Sequence, residues 1–368
     1  MSDAGAANHF GGVLDMKRRL LGVATAVLGT VLIGGVSVQH AAAAPVVPTT
    51  VTLPLFGAPF TMDITTGPGG ALATVTLDPA TLARNPVATQ LESHKVVFEA
   101  ANSSGDPGRV VVKSKHGGQS VSARAGTLAQ VSGPGSWSGD VFGTGVASSV
   151  AFIIGGSETA PDITGIVPAP GAGITVPTAP TVEHSTGDDD DESSVSARAT
   201  VTFTTGAPLN QSRTLTIKVK VGTNDDGESS AKVSVSLGRL KGVAVDAALA
   251  AGPHTWTGLL CDGSTGTINY TVGTDGSISA VTTTPDTAKV KQEEGKLDVR
   301  FSDNERVRIK VRLEDGLIKI SVDEKIRCEN SPDPTTNAST SIPADNNNND
   351  SNGDNHDKHH GGGSENNG

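Results

Sequence analysis

The chain has 368 residues, of which 36% are hydrophobic and only 3% aromatic, with 45 glycines and 20 prolines. Breakers at that density exclude a helical bundle, a coiled coil and a multispan membrane protein, while the apolar share is too high for disorder throughout. The net charge of −11 is concentrated in residues 181–196 and in those from 331 onward. The stretches between are close to neutral, so the acidity describes solvated segments rather than an acidic binding surface.

Met16-Lys17-Arg18-Arg19 precede the uncharged, apolar run Leu20–Val38, and Ala41–Ala44 lead into Pro45. A basic segment, an apolar segment and a small-residue zone predict that residues 1–44 are a signal peptide, with Ala41 and Ala43 as the A-x-A pair and Met16 as an alternative true start. The expected location is secreted, extracellular or associated with the cell envelope, with no membrane contact after cleavage. Two cysteines, Cys261 and Cys328, follow the leader. In an exported chain they are expected to form a disulfide, worth about 4 kcal/mol on the chain-entropy model.

From residue 45 the pattern is one of short strands. Leu215, Ile217, Val219 and Val221 alternate with Thr216, Lys218 and Lys220, and Val233, Val235 and Leu237 alternate with Ser234 and Ser236. Turn signals stand at Gly105–Gly108, Asn224–Gly227 and Gly273–Gly276. Such runs predict an all-β protein built of β-sandwiches, Ig-like or jelly-roll-like. Helix is limited to a turn after Asp78-Pro79 and another within Val243–Ala251.

Gly133-Pro134-Gly135-Ser136-Trp137-Ser138-Gly139 recurs as Gly252-Pro253-His254-Thr255-Trp256-Thr257-Gly258. Strands at 95–99, 109–113 and 120–124 also align loosely with 213–221 and 231–237. The reading is a tandem duplication: a first β unit over 45–168, a Pro/Gly/acidic linker over 169–196, a second β unit over 197–330, and a disordered Asn/Asp/Gly/His tail over 331–368. The second unit ends in a three-strand meander. Its inward set is Leu297, Val299 and Phe301, then Val307, Ile309, Val311 and Leu313, then Ile318, Ile320 and Val322. Trp137 and Trp256 mark the repeat. Both are expected in cores, because too few other aromatics exist to complete a sugar-stacking platform.

No GxSxG, HExxH, P-loop or GxGxxG occurs. His94, His116, His184 and His254 have no partner at ligand spacing, the cysteine pair lacks further ligands, and Asn224–Glu228 lacks calcium-loop spacing. No catalytic residue, metal site or cofactor is therefore expected. The most specific surface feature is in the meander. Arg306, Arg308, Lys310 and Arg312 alternate with the inward set and project from one face, where Arg300 and Lys319 on flanking strands join them. That face suits a wall phosphate polymer or an acidic polysaccharide and, lacking aromatics, suits nucleic acid least. The competing reading is a solvated face on which Asp298 and Asp323 pair with the bases. The sequence thus leads to an exported, non-enzymatic β-sandwich protein of the bacterial cell envelope or medium. A binding module for anionic envelope polymers is the alternative, and a hydrolase of unknown type a third reading.

Overall fold

The computed structural model describes residues 47–115, 118–189, 192–206, 210–223, 229–328 and 331–341. The expected signal peptide, the turn at 224–228 and the tail beyond 341 lie outside the described residues. What is described is nearly all strand, arranged in several sheets.

The first body is laid down by four meanders that alternate between two sheets. β1 (Thr49–Leu55), β2 (Ala58–Thr66) and β3 (Leu72–Leu77) form the first sheet's opening meander. A one-turn helix, α1 (Pro79–Leu82), crosses over. Asp78 caps it by accepting from the Thr81 N–H at 2.9 Å, with proline at the first helical position as the sequence requires. β4 (Val87–Glu92), β5 (Lys95–Ala101), β6 (Pro107–Lys115) and β7 (Gly118–Ala125) then run up and down in the second sheet. A 3-10 turn at Leu128–Val131 returns the chain to the first sheet. There β8 (Gly133–Asp140) pairs with β1, followed by β9 (Ala147–Ser157) and β10 (Ala160–Ala169). The last meander completes the second sheet with β11 (Ile174–Thr175), β12 (Thr181–Asp189), β13 (Glu192–Thr205), β14 (Gln211–Thr223) and β15 (Ser229–Leu237). β15 closes back onto β7.

Alternation makes one face of each sheet apolar, and the two faces enclose a single core that includes Leu53, Phe60, Phe98, Val121, Trp137, Phe152, Phe203, Ile217 and Val233. The pairs Phe60–Phe98 (6.2 Å) and Trp137–Phe203 (6.3 Å) reach from one sheet to the other. Each such side chain contributes roughly 1.5–3 kcal/mol on burial.

The second body has its own core. After β16 (Lys241–Gly242), β17 (Ala244–Asp246) leads into α2 (Ala247–Ala250). β18 (Gly252–Leu259), β19 (Thr265–Val272) and β20 (Ile278–Thr284) then form a three-stranded sheet. β21 (Lys289–Glu293), β22 (Lys296–Ser302), β23 (Glu305–Glu314) and β24 (Leu317–Ile326) follow, and β24 pairs back onto β17. The order strand, helical turn, three-strand meander, returning meander therefore runs from β7 to β15 and again from β17 to β24. The step from Trp137 to Trp256 also carries Leu128–Val131 onto Ala247–Ala250. Gly133 and Gly252 both open their strands at positive φ, 132° and 126°. Both indoles lie over the closing glycine of the motif: an added Cβ on Gly139 or Gly258 would meet the ring at 3.1 or 2.3 Å.

Three expectations need correction. The strands at 95–99, 109–113 and 120–124 do not lie in a separate unit from 213–221 and 231–237; all of them are neighbours in one sheet. The segment 169–196 is not a bare linker, because β11 and β12 pair with β13, and Asp188 and Asp189 end β12 opposite Ser193 and Glu192. Turn residues and acids suit a solvated hairpin end as well as a linker. The cores accordingly divide near 238–243. Finally, residues 331–341 are not a free tail. β25 (Thr335–Thr336) pairs parallel to β3 and β26 (Ser339–Thr340) parallel to β4, so the segment straps the outer edges of both sheets. Asn337 accepts from the Leu77 N–H at 2.8 Å and donates to the Leu77 carbonyl at 2.9 Å, while Ala338 is buried in the first core.

Candidate polyanion-binding face

On β23, Val307, Ile309 and Val311 are buried, so alternation turns Arg306, Arg308, Lys310 and Arg312 to the opposite face. Leu313 departs from the expected inward set and is 44% exposed. It stands at the turn formed by Asp315 and Gly316, both at positive φ, where the strand has outrun the core.

Register decides what these bases meet. Arg300 lies opposite Arg306, Arg306 opposite Lys325, and Lys289 opposite Arg300, so four bases on β21, β22, β23 and β24 fall in one cross-strand row. Lys289 and Lys325 were missed by the sequence reading. Alternation within β21 and β24 shows their parity, but only strand pairing shows that they join this row. Arg312 faces Lys319, a further like-charge pair, and Lys310 faces Lys296.

The row through Arg308 is different. Arg308 stands between Asp298 and Asp323, and its Nε lies 3.6 Å from Asp298. Asp298 also accepts from Arg306 Nε at 2.8 Å. The hydrogen bond from Arg306, with the charges of Arg306, Arg308 and Arg300, holds the Asp298 carboxyl below its ordinary range, and the same bond raises Arg306. The competing reading thus applies to part of the face: Asp298 engages two of its arginines. The bases still outnumber the acids. A groove of about 310 Å³ is lined by Lys291, Lys296, Arg306, Arg308 and Lys310 with Glu293 and Asp298. A smaller one of about 160 Å³ gathers Arg300, Arg306, Lys325 and Arg327 with Asp303 and Asn304.

The other singled-out residues are structural. Cys261 and Cys328 form a disulfide, with Cα atoms 5.3 Å apart. Trp137 and Trp256 are 2% and 7% exposed, so neither presents an indole face to a ligand. Trp256 Nε1 donates to Glu324 at 2.7 Å and its ring stacks on Phe301 at 5.7 Å. Glu324 and Asp140 in turn attract the half-buried Arg213 guanidinium, which donates to the Val141 carbonyl at 2.9 Å and the Gly238 carbonyl at 2.6 Å. Burial lowers the Arg213 pKa to about 10. This cluster joins the two bodies. Among the described residues, no three His, Cys, Asp or Glu side chains come together as a metal-holding group. No family model, curated protein or solved structure matches the chain.

Proposed function

We propose that the protein is exported to the bacterial cell envelope or medium and works there without catalysis, by binding an anionic envelope polymer on the outer face of β21–β24. The observation that carries this reading is the row Lys289–Arg300–Arg306–Lys325, in which bases stand directly opposite bases on four neighbouring strands. Like charges in such positions oppose each other, and a bound polyanion would relieve that repulsion. Export is supported by the leader pattern and by the disulfide, which suits an oxidising compartment. We also read β7–β15 and β17–β24 as descendants of one duplicated β unit, with the join near 238–243. The shared order of elements and the tryptophan-over-glycine device support this.

The test is retention on isolated cell-wall material at low and moderate salt. Wild-type protein should be retained, and retention should fall steeply with salt through counterion release. Replacing Arg300, Arg306 and Lys325 by glutamine together should abolish most of it. Unchanged retention would mean that the face only keeps the protein soluble.

A further inference from the structure

A second row of bases crosses the first body. Lys220 on β14 stands opposite Lys232 on β15, Lys232 opposite Arg124 on β7, and Arg124 opposite Arg109 on β6. The alternate residues of these strands, among them Val219, Ala231, Ala123 and Val110, are buried in the first core. The outward direction of all four bases is therefore forced.

Neighbouring strands lie about 4.8 Å apart, so the row spans roughly 14 Å with one cation per strand. Three successive like-charge pairs directly across strands are destabilising. Here Glu99 meets the end of the row, 3.3 Å from Arg109. At its middle, Lys232 is pushed down by burial and then by Lys113, Arg124, Lys220 and Lys218, all cations. Hydroxyls flank the row: Ser122 and Ser234 sit one step along β7 and β15, opposite each other. A depression of about 280 Å³ lined by Arg109, Arg124, Ser229 and Ser230, and by Glu99, opens beside it.

We propose that this row is a second polyanion site, distinct from the β21–β24 face, and that it takes a linear phosphate polymer laid across β6, β7, β15 and β14. Phosphate is favoured over carboxylate by spacing and by donors. A polysaccharide with a carboxylate on only every second sugar spaces its charges farther apart than neighbouring strands, whereas a phosphate chain carries them more densely. The serine hydroxyls donate to phosphoryl oxygens. The site belongs to the first body and does not depend on the reading of the other face.

The experiment uses the full chain and inorganic polyphosphate. Affinity is measured against salt, and thermal midpoints are read with and without polymer. The Arg300→Gln/Arg306→Gln/Lys325→Gln protein isolates the first-body row from the other face. In that background, polyphosphate should still bind and raise the midpoint. Adding Arg124→Gln/Lys232→Gln should weaken binding at least tenfold and make the log–log salt slope shallower by about one to two. It should also raise the polymer-free midpoint, because repulsion is removed. Arg124→Lys/Lys232→Arg, which keeps both charges, should keep the affinity. Unchanged affinity and slope in the glutamine variant would overturn the site. Equal or tighter binding of poly-glutamate would overturn the phosphate assignment. Loss of binding already in the triple-variant background would place all polymer contact on the β21–β24 face and also overturn the proposal.

Discussion

Tyr270 is the only tyrosine of the chain and is buried on β19, with its ring stacked 5.4 Å from that of His254. Burial raises its phenol from 10.0 to about 12, because the phenolate would lose its hydration. The folded state thus holds this proton where the unfolded chain has released it. The associated stability is complete below about pH 10 and is lost as pH rises toward 12, amounting to roughly 3 kcal/mol. Alkaline unfolding should accordingly begin in that window and be accompanied by phenolate absorbance from a single residue. Tyr270→Phe should abolish that proton-linked loss, although other groups still titrate there. If the phenol of the folded protein ionises near pH 10, with no change in stability, the burial argument fails. Asp298 titrates in the opposite direction. Its carboxyl is held low by Arg306, so its contribution is present above the ordinary carboxylate pKa and is lost as pH falls through the lowered one.

At the scale of elements, the parity of each strand was legible and its neighbours were not. Runs such as Val307–Ile309–Val311 announce both a strand and the face that will be wet, so Arg306, Arg308, Lys310 and Arg312 could be named together. Period two fixes a side chain's face, but contains nothing about which distant strand lies beside it. The row through Lys289 and Lys325 and the row through Arg109, Arg124, Lys232 and Lys220 are products of pairing, hence invisible before it. Leu313 shows the converse error: alternation continued past the edge of the core. The strap at 331–341 was hidden for another reason. Its composition is polar, with Pro332 and Pro334 at its start, and it holds on largely through backbone pairing and one side chain. Asn337 supplies Leu77 with both a donor and an acceptor, replacing a strand residue at the edge of β3. Asn337→Ala leaves both Leu77 groups without that partner and should cost about 1–3 kcal/mol. Chemical denaturation of the variant against wild type measures it. A change below a few tenths of a kcal/mol would show that water replaces the amide without penalty and that the strap is held by Ala338 and the short pairings alone.

On the scale of the whole molecule, the strap makes the first body discontinuous in sequence. It consists of residues 47–237 and 331–341, and the entire second body is inserted between them. The disulfide sits where the chain leaves that insertion. Cys328 follows β24 and is tied to Cys261 between β18 and β19. The same end of the second body rests on the first: a Cβ on Gly69, in the turn before β3, would lie 2.8 Å from the Ile326 carbonyl oxygen and 3.5 Å from Cys328 Sγ. A folded second body therefore delivers residue 331 close to the edge that the strap must reach. An unfolded one would leave a long flexible loop to be closed instead, at an entropic cost that grows with its length. Cys261→Ser/Cys328→Ser should lower the stability of the second body by about 4 kcal/mol, the chain-entropy value for a separation of this length. It should also loosen the strap, whose first residue, Ser331, donates from its N–H and its hydroxyl to the Cys328 carbonyl, each at 3.4 Å. Hydrogen exchange followed by mass spectrometry separates these effects. Amides at 335–340 should exchange faster in the double serine variant, in step with those of β22–β24, while β5, β6 and β14 at the centre of the first body keep their protection. Were the strap to stay protected while β22–β24 open, its own contacts with β3, β4 and Leu77 would be sufficient, and the two bodies would be uncoupled.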